Sequence, residues 1–399
     1  MSAAPLFVTG IARGGTSLVG RMLDAHPQMA VAIDACLPLF RALRNSIVLE
    51  SEPGFDPSGP MEDSYFDATQ RGRQAALLNG RIDVPLRGTD LPTLRSALQR
   101  RAGDESADLA PVLAMLSGTT MRELLDHAMA QIALARPAAD LARVGFKDLW
   151  ISELIPALAR GYPDARFVIV FRDPRDIVAS VLGFLPVDPT QVGHVLSFLR
   201  HWRKTVALAY RFARDAGIKS RVMTLRYEDV VTHPEGCARR MCGFLDLAFD
   251  RAMVETKKFK EYNTGGVWQG NSTFDSGMNT ISRSPMGRWR QRLQPAAVGL
   301  VELTCAAEMQ ACGYELAGTP VPEGDILDFL VNDDVRACSW RSDGREPIVD
   351  FRRECARRAL LALTPGRDPT AKDVVDAFLF EDVYATLRAP GEPIVATIA

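Results

Sequence analysis

Short apolar runs alternate with helical patterns along the first part of the chain, and this alternation predicts the fold. The runs that predict buried strands cover residues 6–9, 29–33, 144–147, 166–171 and 222–225. Residues 16–25 repeat apolar side chains every three or four positions, and helices are also predicted at 150–160, 177–182 and 234–245. Strands that alternate with helices indicate an α/β fold, in which a parallel sheet is covered by helices on both faces.

Two stretches depart from this alternation. Residues 51–60 are rich in proline, glycine and acidic side chains, which predicts a loop, and residues 61–140 are mainly helical in pattern. We interpret residues 50–140, approximately, as a helical insertion. Beyond Gly318 the pattern predicts helices at 325–335, 349–363 and 372–387. The predicted organisation is a main domain over residues 1–317, which contains the insertion, and a helical C-terminal extension over residues 318–399.

The composition narrows the range of partners. The 399 residues carry a formal net charge of −2, so we expect no nucleic-acid partner and predict that any anion site is built locally. The seven cysteines show no CxxC spacing, so neither a metal site nor a disulfide framework is predicted. No apolar stretch is long enough to span a bilayer, and no secretory signal pattern is present, so the expected location is the cytoplasm. A homo-oligomer remains open.

The loop between the first strand and the first helix is a candidate phosphate site. Its sequence, GIARGGTS at 10–17, nearly matches the phosphate-loop spacing GxxxxGK[ST]. Backbone N–H groups of such a loop surround a phosphate, and the helix start adds partial positive charge. Thr16 stands where a nucleotide-dependent kinase needs lysine, and the cation lies three residues earlier at Arg13. The missing lysine argues against a kinase-like phosphotransferase, which we keep as the alternative enzyme class.

Three later segments carry further candidate binding residues. The first two follow predicted strands, and the third contains a tryptophan. The segment RDPRDIVAS at 172–180 puts Arg172 at a strand end and Ser180 in the next helix. The guanidinium fork of an arginine suits phosphate oxygens. The segment YEDVVTHP at 227–234 begins with Tyr227, whose flat ring suits a purine. The segment ISRSPMGRWR covers residues 281–290. Arg175 could contact phosphate, or it could pair with Asp173 or Asp176.

Together these four segments resemble the PAPS-dependent sulfotransferases, and RGGTSLVGRMLDAHP at 13–27 is similar to the bacterial glycan-type and tyrosylprotein branch. A GNSTF stretch at 270–274 also resembles bacterial members, without an assigned role. The resemblance implies a P-loop-type, three-layer fold and an in-line transfer of a sulfuryl group, without a metal. The donor implied is 3′-phosphoadenosine 5′-phosphosulfate (PAPS), and the acceptor is a hydroxyl group of a glycan, glycolipid, tyrosine or small molecule.

The resemblance also implies individual roles. The implied nucleotide contacts are Arg13, Gly14, Gly15, Thr16, Ser17, Arg172, Ser180, Tyr227, Arg288 and Trp289. Arg172 and Ser180 would bind the 3′-phosphate, and Tyr227 would lie against the adenine. The joint presence of these residues argues against the second alternative, a catalytically inactive nucleotide-binding protein.

Four catalytic residues are implied as well: Asp34, Arg13, Lys147 and Ser284. The last three match positions near the bridging phosphate oxygen. Asp34 matches the general base by its spacing of seven residues from Pro27, although the family pattern has glutamate there. The alternatives are that Lys147 pairs with Asp148, that Asp34 caps the helix that follows it, and that His26 is the base. We further expect the insertion and the C-terminal extension to shape the acceptor site.

Overall fold

The computed structural model describes residues 3–58, 71–136, 140–183, 192–271, 279–331, 336–338, 347–364 and 369–389. The strands are β1 (Ala4–Gly10), β2 (Met29–Ile33), β3 (Arg143–Lys147), β4 (Arg166–Phe171), β5 (Val192–His194), β6 (Val222–Arg226), β7 (Lys260–Glu261), β8 (Gly266–Val267) and β9 (Arg336–Cys338). Within these ranges, no helix is long and apolar enough to cross a membrane.

The helices of the main domain before β4 are α1 (Thr16–Asp24), α2 (Leu37–Ser51), α3 (Arg71–Asn79), α4 (Leu91–Glu105), α5 (Ala110–Leu113), α6 (Met121–Ala135) and α7 (Ile155–Gly161). Those that follow are α8 (Pro174–Leu182), α9 (Leu196–Arg214), α10 (Tyr227–Thr232), α11 (Pro234–Phe244), α12 (Trp289–Arg292) and α13 (Pro295–Ala311). The last four are α14 (Glu323–Val331), α15 (Pro347–Leu361), α16 (Ala371–Phe378) and α17 (Glu381–Arg388).

Five strands form one parallel sheet in the order β2–β3–β1–β4–β6. The register brings Ile33 and Val8, on the two neighbouring strands, opposite Lys147 at the end of β3. The carboxyl ends of the strands therefore meet at one edge, where open α/β sheets bind their ligands. The predicted α/β fold with a parallel sheet is confirmed.

Each strand buries side chains on both faces of the sheet. Phe7 and Phe167 lie in one apolar cluster, whereas Val8 and Val168 lie in another. Successive side chains of a strand point to opposite faces, so two separate clusters mean that both faces are covered. The predicted three-layer arrangement is confirmed.

The insertion and the extension pack on the same side of the sheet. Leu98 of α4 and Leu124 of α6 belong to the apolar cluster that contains Phe7, and so do Phe351 of α15 and Val383 of α17. Residues of both added regions thus share a core with the strands. The boundary at residue 317 stays a prediction.

Three details of the predicted elements differ from the structure. The helix predicted at 372–387 is two helices, because Leu379 has a left-handed backbone (φ 69°) that interrupts the hydrogen-bond ladder between α16 and α17. The helix predicted at 150–160 becomes α-helical only at Ile155, after a 3₁₀ turn at Ser152–Leu154. Residues 332–335 of the predicted helix 325–335 lie outside the described ranges.

Buried ion pairs join the extension to the main domain. Glu354 of α15 accepts hydrogen bonds from Arg200 Nε at 2.9 Å and from Arg203 Nη1 at 2.6 Å, and all three side chains are almost fully buried. Although burial opposes ionisation, the two guanidinium groups of α9 hold the pKa of Glu354 down to about 2. The ionised carboxylate is therefore part of the folded state.

We predict that Glu354→Ala lowers the free energy of unfolding by about 3–5 kcal/mol, because it removes a carboxylate that two buried guanidinium groups share. Asp350 still pairs with Arg200 at 3.0 Å in the variant. In the wild type, the depressed pKa means that this contribution is complete above about pH 4.5 and is lost as the pH falls toward about 2. Chemical denaturation at a series of pH values measures both effects.

The matched control is Glu235→Ala, which removes an exposed pair with Arg239 four residues away. Exposed pairs contribute at most about 0.5 kcal/mol in a helix, so this variant should unfold like the wild type. Equal stabilities of the two variants would contradict the prediction.

Candidate active site

A cavity of about 750 Å³ opens at the carboxyl edge of the sheet. Its charged lining side chains are Arg13, Arg21, Arg41, Arg101, Lys147, Arg172 and Arg288, together with Asp34, Glu105, Asp176 and Glu261. Seven basic and four acidic groups give a local excess of three positive charges in a chain whose net charge is −2. Such a cavity favours an anionic ligand.

The loop after β1 has the backbone of a phosphate-binding turn. Arg13 and Gly15 both have left-handed conformations, with φ of 64° and 86°. A Cβ atom on Gly15 would lie 2.1 Å from Cδ2 of Tyr227, so the position needs glycine for its conformation and for its contact. Helix α1 begins directly after it at Thr16. Gly15, Thr16 and Ser17 line the cavity, whereas Gly14 makes a turn with Ile11 and is not among the lining residues.

Arg172 joins this loop to the segment around Pro285. Its Nη1 donates to the Arg13 carbonyl at 3.0 Å, and its Nη2 donates to the Pro285 carbonyl at 2.7 Å. Its Nε is buried and has no hydrogen-bond partner among the described residues. A buried donor without a partner costs free energy, so an anion in the cavity that accepts a hydrogen bond from this Nε would remove that cost.

Arg13 and Ser180, which the sequence analysis assigned to opposite ends of the nucleotide, touch each other. Arg13 Nε donates to Ser180 Oγ at 2.9 Å. Burial and the neighbouring charge of Arg172 both lower the pKa of Arg13. Two guanidinium groups this close repel each other, and a bound polyanion would relieve that repulsion.

Asn271, in the GNSTF stretch at 270–274 that had no assigned role, contacts Tyr227. Asn271 Nδ2 donates to the Tyr227 hydroxyl at 2.7 Å. The same carboxamide pairs with the backbone of Ser282, donating at 2.8 Å and accepting at 2.8 Å. The Tyr227 ring lies 4.6 Å from the Arg172 guanidinium and lines the cavity, and burial raises its pKa. Residues 272–274 of the GNSTF stretch lie outside the described ranges.

The candidate base and the candidate catalytic lysine form an ion pair. Lys147 Nζ lies 2.7 Å and 2.6 Å from the two carboxylate oxygens of Asp34, and it donates to Ser17 Oγ at 2.9 Å. Lys147 is only 2% exposed, so it needs a partner for its charge. The ends of β2 and β3 and the start of α1 therefore meet at one point.

The alternative interpretations of these residues are wrong. Lys147 pairs with Asp34 and not with Asp148. Asp34 does not cap α2, whose N-cap residue is Cys36. Asp148 accepts the Cys36 N–H at 3.2 Å, and burial together with the charge of Asp34 raises the pKa of Asp148 to about 8. The His26 ring contacts the backbone of Gln28 and Ala248 and does not line the cavity.

The segment 281–290 is pinned beside the cavity. Asp176 accepts the backbone N–H groups of Gly287 at 2.7 Å and Trp289 at 2.9 Å. This places Arg288 in the lining, where it donates to Ser284 Oγ at 3.2 Å. Ser284 itself is exposed and is not among the lining residues.

Arg175 and Trp289 pack together outside this lining. The Arg175 guanidinium lies 4.0 Å from the Trp289 ring centroid and pairs with Asp173 at 2.7 Å and Glu302 at 2.8 Å. The structure therefore supports the pairing interpretation of Arg175. The assigned roles of Ser284 and Trp289 at the nucleotide stay predictions.

Several lining residues had no sequence signal. Arg101 and Glu105 come from α4, so the insertion reaches the cavity, while its role in shaping an acceptor site stays a prediction. Trp150 follows β3, and Glu261 and Trp268 belong to the β7–β8 hairpin. Among the described residues beyond Gly318, none lines the cavity, and the expected role of the extension at the acceptor site stays a prediction. Among the described parts of the chain, no group of three acidic, histidine or cysteine side chains could hold a metal ion.

Comparisons with known proteins agree on one family. A family model described as "Sulfotransferase family" matches residues 5–251. The chain is 22% identical over 283 residues to a protein-tyrosine sulfotransferase of Drosophila melanogaster, which covers 68% of this chain and 56% of the relative. It is 26% identical over 284 residues to protein-tyrosine sulfotransferase 1 of Danio rerio, which covers 63% and 76%.

Among solved structures, the chain resembles the sulfotransferase domain from the Synechococcus PCC 7002 olefin synthase. The TM-score is 0.45 at 17% identity, and the alignment covers 79% of this chain and 96% of that chain.

We predict that Gly15→Ala disrupts the loop. The left-handed backbone costs a residue with a Cβ about 1–2 kcal/mol, and the contact with Tyr227 adds to this. The matched control is Gly103→Ala on α4, where an added Cβ meets nothing within 4 Å. Alanine there should stabilise the helix by about 0.5–1 kcal/mol. Thermal unfolding should show a lower melting temperature for Gly15→Ala and a higher one for Gly103→Ala than for the wild type. A Gly15→Ala variant as stable as the wild type would contradict the left-handed, closely packed loop described above.

Proposed function

This chain belongs to the sulfotransferase family and is therefore an enzyme of sulfuryl transfer, and from that premise we propose that its donor is PAPS and its acceptor a hydroxyl group. The observation that carries the proposal is the meeting of the Lys147–Asp34 pair with the loop after β1 inside one positively charged cavity. A nucleotide with several anionic groups suits that charge, and the pair supplies an acid–base couple beside it.

The donor would occupy the side of the cavity formed by the loop, Arg172 and Tyr227. Backbone N–H groups at the start of α1 suit a phosphate, and Arg172 Nε offers a donor without a partner. The contact between Arg13 and Ser180 supports a ligand whose two anionic groups reach both side chains. Bisphosphorylated adenosine nucleotides have this character.

We predict that Arg172→Ala weakens the preference for a 3′-phosphate. The loss of a charged hydrogen bond corresponds to about 1.5–3 kcal/mol, or about 10- to 150-fold in Kd. The measurement is the ratio of Kd for adenosine 5′-phosphate to Kd for 3′,5′-bisphosphoadenosine, by calorimetry, because a ratio is insensitive to a general loss of folded protein.

Arg175→Ala is the matched control, since it also removes a buried arginine of the same segment but one outside the cavity lining. Its ratio should equal that of the wild type. If Arg172→Ala also keeps the wild-type ratio, then Arg172 does not bind the 3′-phosphate.

In the proposed transfer, the acceptor oxygen bonds to sulfur while the bond between sulfur and the bridging phosphate oxygen breaks. The electrons of that bond leave with 3′,5′-bisphosphoadenosine, and the acceptor proton passes to the carboxylate of Asp34. Lys147 would stabilise the negative charge that develops on the bridging oxygen. Its contact with Asp34 keeps the proton acceptor and the cation within one hydrogen bond of each other.

We predict that Asp34→Asn lowers kcat by about 10²–10⁴-fold, the range for loss of a general base, and leaves nucleotide Kd within about twofold. Asparagine keeps the size of the side chain and tolerates the left-handed backbone of this position (φ 56°). It also takes the carboxylate away from buried Lys147, so the loss of kcat is assigned to the base only if the variant unfolds like the wild type and keeps its nucleotide Kd. Initial rates with labelled PAPS and calorimetry of the product nucleotide measure the two quantities.

The matched control is Asp246→Asn, which makes the same change at another left-handed aspartate (φ 60°), 70% exposed and remote from the cavity lining. It should keep wild-type kcat. An Asp34→Asn enzyme with undiminished turnover would remove Asp34 from the role of base.

For the acceptor, we propose the class of hydroxyl compounds and test its members directly. The relatives named above are protein-tyrosine sulfotransferases, so tyrosine-containing peptides form one arm of the screen. Sugars, glycolipids and small alcohols form the others. Transfer of label from PAPS identifies the acceptor, and the absence of PAPS binding would instead favour the kinase-like alternative, which ATP titration detects.

A further inference from the structure

The last turn of α4 is attached to the strand end that carries Asp34. Arg101 Nε donates to the Asp34 carbonyl at 2.8 Å. The next contact follows five residues later, where the buried Ser106 hydroxyl donates to the Ile33 carbonyl at 3.0 Å. Consecutive carbonyl groups at the end of β2 are thus bound by one short segment of the insertion.

The backbone of Asp34 needs such support. Its φ of 56° lies in the left-handed region, where a residue with a Cβ is strained and persists only when its surroundings hold it. Its N–H donates to the Lys147 carbonyl at 2.9 Å, which fixes one side of the residue. The hydrogen bond from Arg101 fixes the other side. With both flanking peptide groups held, the carboxylate is directed at Lys147 and Ser17.

Arg101 also belongs to the cavity wall. Its guanidinium pairs with Glu105 at 3.1 Å, and both side chains line the cavity and keep about a third of their surface exposed, 33% and 37%. Burial raises the pKa of Glu105. A helical pair at this spacing contributes only a few tenths of a kcal/mol to a helix. The bond to Asp34, 67 residues away in sequence, is therefore the contact that distinguishes Arg101 from an ordinary helix-surface arginine.

We propose that Arg101 is a positioning residue for sulfuryl transfer, which acts by holding the turn that presents Asp34. The inference rests on the proposed function of Asp34 as the base. Arg101 itself takes no proton and contacts the backbone of Asp34, not its carboxylate. The insertion would thereby hold part of the reacting centre in place, in addition to lining the cavity.

The expected consequence is a loss of turnover with little loss of nucleotide binding. Displacement of a reacting group by about 1 Å can cost up to about 10²-fold in rate, so Arg101→Ala should lower kcat by about 10- to 100-fold. The Kd for 3′,5′-bisphosphoadenosine should stay within about twofold of the wild type. Arg101→Lys, which can still donate one hydrogen bond to the Asp34 carbonyl, should recover part of the rate.

A double-mutant cycle separates action through Asp34 from a general structural effect. If Arg101 acts through the base, then Arg101→Ala should lower kcat little further once Asp34→Asn is present. The control is Arg95→Ala, because Arg95 also lies on α4 and donates its Nε to a carbonyl, that of Leu116 at 2.6 Å, but outside the cavity lining. This variant should keep wild-type kcat.

Hydrogen exchange of the Asp34 N–H provides a readout without turnover. The hydrogen bond of this N–H to Lys147 should open more often in Arg101→Ala and remain protected in Arg95→Ala. Unchanged protection, or equal rate losses from Arg101→Ala in the wild-type and Asp34→Asn backgrounds, would overturn the proposal. A wild-type enzyme without PAPS-dependent transfer would instead contradict the proposed function, and the exchange result would still decide whether Arg101 holds the turn.

Discussion

The ion pair between Lys147 and Asp34 is the contact on which the arrangement of the candidate site depends. Burying an unpaired ammonium group costs several kcal/mol, so Lys147 at the end of β3 needs a carboxylate next to it. The parallel register supplies one, because Ile33 lies opposite Lys147 and Asp34 follows directly. Ser17 joins the same contact and attaches the start of α1 to it. One charged group thus aligns three segments that are far apart in sequence.

Positive charge at this edge is only partly balanced within the protein. Backbone carbonyl groups of Arg13 and Pro285 accept hydrogen bonds from Nη1 and Nη2 of Arg172, and its buried Nε has no partner among the described residues. Neutral carbonyls form weaker hydrogen bonds to guanidinium groups than phosphate oxygens do. The lining has three more basic than acidic side chains, so it attracts an anion electrostatically, although the whole chain is slightly acidic.

The pattern of apolar and polar residues predicted the strands of the sheet, because a strand depends mainly on its own residues. The five sheet strands follow from apolar runs, whereas the roles of Asp34, Lys147 and Arg172 were implied by the resemblance of their segments to the sulfotransferases. Contacts between distant segments could not be predicted in this way. Asn271 acts through Tyr227 and Ser282, and Arg101 acts on a carbonyl 67 residues away, so neither leaves a local pattern.

Helix α9 shows how the C-terminal extension supports the site. Its Arg200 and Arg203 are both buried, because Asp350 and Glu354 of α15 pair with them from outside the helix's own sequence. On the same helix, the Trp202 indole donates to the Arg172 carbonyl at 2.9 Å. No described residue of the extension lines the cavity, but the charge that the extension supplies allows α9 to be buried. Buried α9 in turn holds the backbone of the arginine assigned to phosphate, so the extension supports the site through the packing of α9.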